Sequence, residues 1–262
     1  MKYLPKFRFS VRTLMIITAL LGVGFGYLGL KMRRAQKQRE VVAWIEEHGG
    51  GVMFHYQSGE DGTLDLTGVH PQPMWYHQIF GQDYFETIRG VGIQDSDVTD
   101  ISPISQLHEL EDFGLLRTKV TDLSPLSQLE KLQRVSVPYS LVSDLSPLSG
   151  RDSLRELNLT VSKIKDLSPL SELTGLESLI LAGTEVSDIQ ALAGLKNLIL
   201  VDLSFTKVTD ITPLLKLKNL KTCVLLNTKV SDDQIKLLRE KLPECVIVGR
   251  YEEGSFLPAL AK

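Results

Sequence analysis

The chain is poor in the residues that build small cross-linked or metal-held modules. Two cysteines in 262 residues cannot make a disulfide framework or a Cys-rich metal site, which removes small secreted domains and zinc ribbons. Histidine is scarce too, at five. Three of them (His55, His70 and His77) lie among Tyr56, Trp75 and Tyr76, but at no metal-ligand spacing, and they read as half-buried structural groups. There is no Gly-rich phosphate loop, no GxSxG, no HExxH and no paired-carboxylate motif outside the repeats below. No catalytic residue, cofactor or metal is therefore expected. Basic charge is missing from most of the chain. Residues 1–40 hold nine Lys/Arg and one Glu, which leaves twenty basic and thirty-one acidic side chains in the remainder. So acidic a body is a poor phosphate binder, which excludes nucleic acid as the main partner. With 43% hydrophobic residues, the chain can still bury a substantial core.

Charge is also absent from Thr13 to Leu30, TLMIITALLGVGFGYLGL. As a helix this stretch spans about 27 Å, close to the ~30 Å bilayer core. Lys2, Lys6, Arg8 and Arg12 precede it, and Lys31, Arg33, Arg34, Lys37 and Arg39 follow. A cleaved signal would need small residues after the apolar run, where the chain has KMRR, so the reading is an uncleaved single-pass anchor at 13–30. A buried core helix is the third alternative. Basic residues nearly tie across the run, so charge does not orient it. Gly22 and Gly26 form a GxxxG that would let a second copy approach closely.

After the anchor, KMRRAQKQREVVAWIEEHGGG reads as a helix stopped by Gly49–Gly51, with an apolar flank of Val41, Val42, Trp44 and Ile45. VMFHY at 52–56 and TLDLTGV at 63–69 then suggest a hairpin around SGEDG. PQP at 71–73 interrupts, and 74–88 reads as an amphipathic helix.

What the chain has in abundance is a period. Asp100, Asp122, Asp144, Asp166, Asp188, Asp210 and Asp232 recur every 22 residues within VTDISPI, VTDLSPL, VSDLSPL, IKDLSPL, VSDIQAL, VTDITPL and VSDDQIK. Units begin at Phe85, Leu107, Leu129, Arg151, Leu173, Leu195 and Leu217. Apolar residues at unit positions 1, 4, 7, 9, 14, 17 and 20 give a leucine-rich repeat. Positions 7–9 are a short strand with its odd positions inward. Position 12 is always Ser or Thr, whose inward hydroxyl is expected to bond the turn backbone. The Asp of position 16 suits an Asx-turn, and the Ser-Pro after it a helix start with Ser as cap. A calcium ladder is the alternative for the aspartates, but the glycine pattern of calcium-binding β-rolls is missing. Arg151 stands where a core Leu belongs, so that corner is expected to be looser. SDDQIKLLREKLPECVIVG reads as a C-terminal cap. Cys223 and Cys245, 22 apart, are expected at equivalent inward positions as buried thiols.

The SDLSPLSxLxxLxxLxL phrasing over about 85–248 resembles the repeats of internalin-type bacterial surface proteins. FRFSVRTLMIITALLG, AWIEEHGG and QIFGQDYFETIRGVGI resemble parts of bacterial membrane-anchored leucine-rich repeat proteins. The resemblance implies protein recognition through the concave strand face, no catalysis, and a body outside the cytoplasm.

The expected organisation is a basic segment (1–12), the transmembrane anchor (13–30), a juxtamembrane helix, hairpin and N-terminal cap (31–84), the repeats with their cap (85–249) and a tail (250–262). The fold class is an α/β leucine-rich repeat solenoid with a parallel concave sheet and short 3₁₀ or α turns on the convex side. Positions 6, 8, 10 and 11 face the open side. They give an expected protein-binding surface of Arg117, Arg134, Tyr139, Glu156, Asn158, Ile180, Leu200, Asp202, Phe205, Val224, Leu226 and Asn227. Ile180, Leu200, Phe205, Val224 and Leu226 read as one exposed apolar patch. Either an unidentified protein covers it or the tail does, through Phe256, Leu257 and Leu260. The function read from this is a membrane-tethered protein-interaction module; a self-associating envelope scaffold is the alternative.

Overall fold

The structure, a computed structural model, describes residues 11–54 and 87–249. The expected strand at 63–69, the three histidines, the 74–88 helix up to residue 86, and the tail with Phe256, Leu257 and Leu260 lie outside the described residues. The chain divides into two units. Among the described residues, the first is the helix α1 (Val11–Glu47) as far as Glu40, and the second begins at Val41.

In the first unit, α1 carries a stretch long and apolar enough to cross a membrane. Met15, Leu20, Val23 and Phe25 are all exposed, as an apolar surface without a protein core behind it would be. A Cβ added at Gly22 or Gly26 would meet nothing within 4 Å, so that face is open.

In the second unit, Val41 and Ile45 are buried in the core, and Gly49 with φ +72° ends the helix in the left-handed region. One nine-stranded sheet follows in chain order. Strand β1 (Gly50–Phe54) runs antiparallel to β2 (Ile88–Gln94). The pairing partner of β1 is thus the first rung, and β2 starts at Ile88, where the sequence pattern still suggested helix. β3 (Asp112–Leu116), β4 (Arg134–Ser136), β5 (Glu156–Asn158), β6 (Ser178–Ile180), β7 (Leu200–Asp202) and β8 (Thr222–Val224) stack in parallel.

The register is the 22-residue period itself: Val135 pairs Leu157, Leu157 pairs Leu179, and Leu179 pairs Val201. Each of these is at most 1% exposed, so one inward column runs through the stack. Position 9 gives a second column, Val137, Leu159, Leu181 and Leu203, at 0%. A fully buried Leu contributes about 1.5–3 kcal/mol, but only when the neighbouring rungs cover it.

Six 3₁₀ turns line the convex side, from Ser102–Gln106 to Thr212–Lys216. Here the cap differs from expectation. Ile or Leu occupies the N-cap, no side chain caps it, and Ser, Thr or Gln is the first helical residue. The Asp supplies the bond instead. Asp100, Asp122, Asp144, Asp166, Asp188 and Asp210 each accept from the backbone N–H two residues on, at 2.7–2.9 Å. A carboxylate two residues upstream reaches that donor better than the Ser hydroxyl, which turns back to the same carboxylate in Ser102, Ser146 and Ser168.

The hydroxyl ladder of position 12 is only partly as expected. Thr184, Thr206 and Thr228 donate to the carbonyls of Leu181, Leu203 and Leu225 at 2.7, 2.6 and 3.0 Å. Thr118, Ser140 and Ser162 are as buried but have no hydrogen-bond partner, which nothing in their surroundings explains.

The Arg151 corner is tied rather than loose. Its guanidinium donates to the carbonyls of Leu129 (2.5 Å), Leu126 (2.6 Å) and Pro147 (3.4 Å). Helix α2 (Asp232–Lys241), capped by Ser231, closes the stack before β9 (Val246–Val248). This turn is two residues longer than its predecessors, so Thr222 pairs Val246 and Cys223 pairs Ile247. Cys245 therefore does not occupy the position of Cys223. Both are buried free thiols, and burial pushes the Cys223 thiol strongly upward.

Candidate functional site

The parallel ladder presents positions 6 and 8 as the floor of the concave face, because side chains alternate across each three-residue strand. Positions 10 and 11 follow as the chain leaves the sheet. The twelve expected residues split between these two places. Arg134, Glu156, Asn158, Ile180, Leu200, Asp202, Val224 and Leu226 belong to the floor and its margin. All but Glu156 are half-buried. Arg117, Tyr139, Phe205 and Asn227 stand exposed on the rim, each with φ between 53° and 57°.

The expected five-residue apolar patch is correspondingly smaller in exposed area. Only Phe205, 60% exposed, stands out; the other four are half-buried, with Asp202 between Ile180 and Val224 and with Leu200 between Ser178 and Thr222. The sequence pattern did not single out Leu141, Val161, Ile199 and Val246, which are 43–62% exposed. Val161 occupies position 11 and was legible from its place in the unit. Leu141 and Ile199 sit at positions 13 and 5, outside the columns taken to be open, and Val246 was hidden by the longer last unit.

The N-terminal half of the floor is ionic. Arg89 Nε donates to Glu111 Oε2 at 2.8 Å and lies 3.9 Å from Asp112 Oδ2, which accepts from Arg134 Nη2 at 2.6 Å. Hydrogen bonding to Asp112 raises the Arg134 guanidinium above its ordinary value, against its partial burial. Asp112 Oδ1 is buried with no partner. Next to this network a hollow of about 390 Å³ opens over Gly114, Ser136 and Asn158, walled by Asp112, Arg134 and Glu156. Asn158 accepts from the Thr160 N–H at 3.0 Å. Small residues thus deepen one half of the concave face; beyond it Leu200 and Val224 share the floor with Asp202 and Thr222. On the rim, Arg117 grips Asp95 through two nitrogens, one of them Nη2 to Oδ2 at 2.8 Å, and this holds the Asp95 carboxyl below its usual range. Among the described residues no group of three or more His, Cys, Asp or Glu could hold a metal.

This architecture defines a leucine-rich repeat solenoid: short parallel strands, a 22-residue register and 3₁₀ turns closed by an Asp. Its repeats are similar to those of bacterial internalins. No protein-family model matches the chain, and no curated protein sequence matches it. Solved structures do. An internalin C2 from Listeria monocytogenes is 29% identical with a TM-score of 0.57, over 64% of this chain and 75% of that one. A leucine-rich repeat protein from Leptospira interrogans is 24% identical with a TM-score of 0.54, and internalin F from Listeria monocytogenes 22% with 0.51. These two share the fold. The match spans 40% and 52% of their lengths, and 58% and 60% of this chain.

Proposed function

We propose that the chain is a protein-recognition module, held at a membrane by the apolar part of α1, that reads its partner through the concave floor. The observation that carries this is the floor's two-part chemistry. An ionic hollow around Asp112, Arg134 and Glu156 adjoins rungs of the same sheet on which Ile180, Leu200 and Val224 alternate with Ser178, Asp202 and Thr222. Interfaces draw specificity from placed charges and affinity from apolar anchors, and this face offers both without any constellation for bond chemistry. The residues that would bind are the eight of the floor and its margin. Exposed apolar side chains along α1, followed by Lys31, Arg33 and Arg34, support the anchor, and the open Gly22–Gly26 face would admit a second copy. The resemblance to bacterial surface proteins supports a repeat domain outside the cytoplasm.

The test is capture of partners from envelope extracts with the detergent-solubilised full chain, comparing floor variants (Arg134→Gln; Leu200→Thr with Val224→Thr) with the convex variant Gln128→Ala. Loss of the same captured protein in both floor variants and its retention in the convex one supports the reading; equal capture by all three would sink it. Protease accessibility of the repeats in intact cells tests the compartment: protection until the membrane is opened would contradict an outward body.

A further inference from the structure

Charge in the concave hollow is not balanced. Across β3 to β6 the position 6 column reads Asp112, Arg134, Glu156 and Ser178 in register, an acid–base–acid series at about 4.8 Å per rung. Arg134 stands between two carboxylates but is committed to one, donating from Nη2 to Asp112 Oδ2 at 2.6 Å. The other cations nearby are committed as well. Arg89 is held by Glu111 at 2.8 Å. Arg155 donates to the carbonyls of Asp152 and Gly175 at 2.7 and 3.1 Å and lies 3.8 Å from Glu177. Glu156 is left over: its carboxylate has no hydrogen bond or ion pair among the described residues, and it is the exposed member of the floor.

The space beside this carboxylate is open. Position 8 of the same rungs is Gly114, Ser136 and Asn158, and a Cβ added at Gly114 would meet only two carbonyl oxygens, at 3.8 and 4.0 Å. The hollow of about 390 Å³ over these residues has room for a long side chain. Ser136 has a hydroxyl without a bond among the described residues, which can accept from a donor placed there. Ile180 pairs Asn158 and lines the same hollow, an apolar wall for a methylene stem. The sign of the occupant follows from the column. An acidic side chain reaching for Arg134 would lie between the carboxylates of Asp112 and Glu156 and be repelled by both. A basic one meets the unpaired carboxylate of Glu156 and brings the net charge of the three-residue series from −1 to zero.

We propose that the hollow is a subsite for a basic side chain, Lys or Arg, of a partner protein, its charge on Glu156 and its stem along Ile180; this rests on the reading that the concave floor binds the partner. The experiment selects short random peptides displayed on phage against the detergent-solubilised full chain. The affinity of the retained peptides for the parent, Glu156→Gln and Glu156→Arg is then measured by fluorescence polarisation. Retained peptides are expected to carry Lys or Arg, and Glu156→Gln should weaken them about five-fold, as a partly exposed ion pair allows. Replacing the peptide's basic residue by Ala should abolish that difference, and selection on Glu156→Arg should return acidic peptides instead. Basic peptides bound equally by parent and Glu156→Gln would trace to the acidic body at large and overturn the subsite, as would the retention of no peptide. Peptides without a basic residue that are lost on Leu200→Thr with Val224→Thr would overturn the subsite and leave the floor as the recognition surface. Peptides indifferent to every floor variant would overturn the subsite and count against the floor as well. Matching circular dichroism of parent and variants shows that the solenoid is intact in each comparison.

Discussion

Replacing Arg151 by Leu should leave the protein within about 1 kcal/mol of its original stability, or make it more stable, although three hydrogen bonds are lost. The side chain fills position 1, where Leu129, Leu173, Leu195 and Leu217 are 0% exposed, and is itself 9% exposed. Its partners are carbonyls, not carboxylates, and burial pushes its guanidinium down from the ordinary value. Two short charge-assisted bonds contribute roughly 1.5–3 kcal/mol each, while desolvating the cation costs several kcal/mol. Neither short-bonded carbonyl is orphaned by the change. Leu126 O still accepts from the Leu129 N–H at 3.0 Å, and Leu129 O from the Leu132 N–H at 3.2 Å. A leucine there adds about 1.5–3 kcal/mol of burial, so gains and losses nearly cancel. Arg151→Ala gains no such burial and leaves a cavity, and should cost about 2–4 kcal/mol. Urea unfolding followed by circular dichroism measures both. A Leu variant as unstable as the Ala variant would refute the reasoning, because the guanidinium contacts would then outweigh both desolvation and apolar burial.

The position 12 ladder should respond unevenly to Thr→Val. Thr184→Val and Thr206→Val, which each break a bond to a buried carbonyl, should cost about 1 kcal/mol or more, whereas Thr118→Val should be neutral or stabilising in the same urea melts. Val161→Asn should relieve left-handed strain and offset about 1 kcal/mol of lost packing, so a midpoint well below the parent's would argue against the strain. Acid should act through the turns. Hydroxyls of Ser102, Ser124 and Ser168 hold Asp100, Asp122 and Asp166 below the usual carboxylate range, and the Thr212 N–H does so for Asp210. A depressed folded value makes their contribution complete above the unfolded value of about 3.9 and lost as pH falls through the folded one. The urea midpoint should therefore hold from neutrality to about pH 5 and drop below about 4, with Asp122→Asn plus Asp166→Asn flattening that drop; an identical acid limb in the double variant would count against the ladder.

The period made the fold legible, because a 22-residue recurrence of Asp and Leu can be satisfied only by stacked units. Val135, Leu157, Leu179 and Val201 fall in one column for that reason. Side-chain identity alone did not reveal what Arg151 does, since its partners are main-chain carbonyls that carry no sequence signature. The Cys223–Cys245 spacing misled because α2 adds two residues at the end of the array. The division between floor and rim was hidden as well. Positions 6, 8, 10 and 11 all look open on a repeat diagram, but the left-handed turn at position 11 swings Tyr139, Val161 and Phe205 away from the floor.

Whether the concave floor is the recognition surface is tested most directly by hydrogen exchange of the full chain, free and in complex with a captured partner. Slower exchange is expected in the complex over β4 to β8, around Arg134, Asn158, Ile180, Leu200 and Val224, with the 3₁₀ turns from Ser124 to Lys216 unchanged. Protection confined to those convex turns, with the strands exchanging as in the free protein, would contradict it.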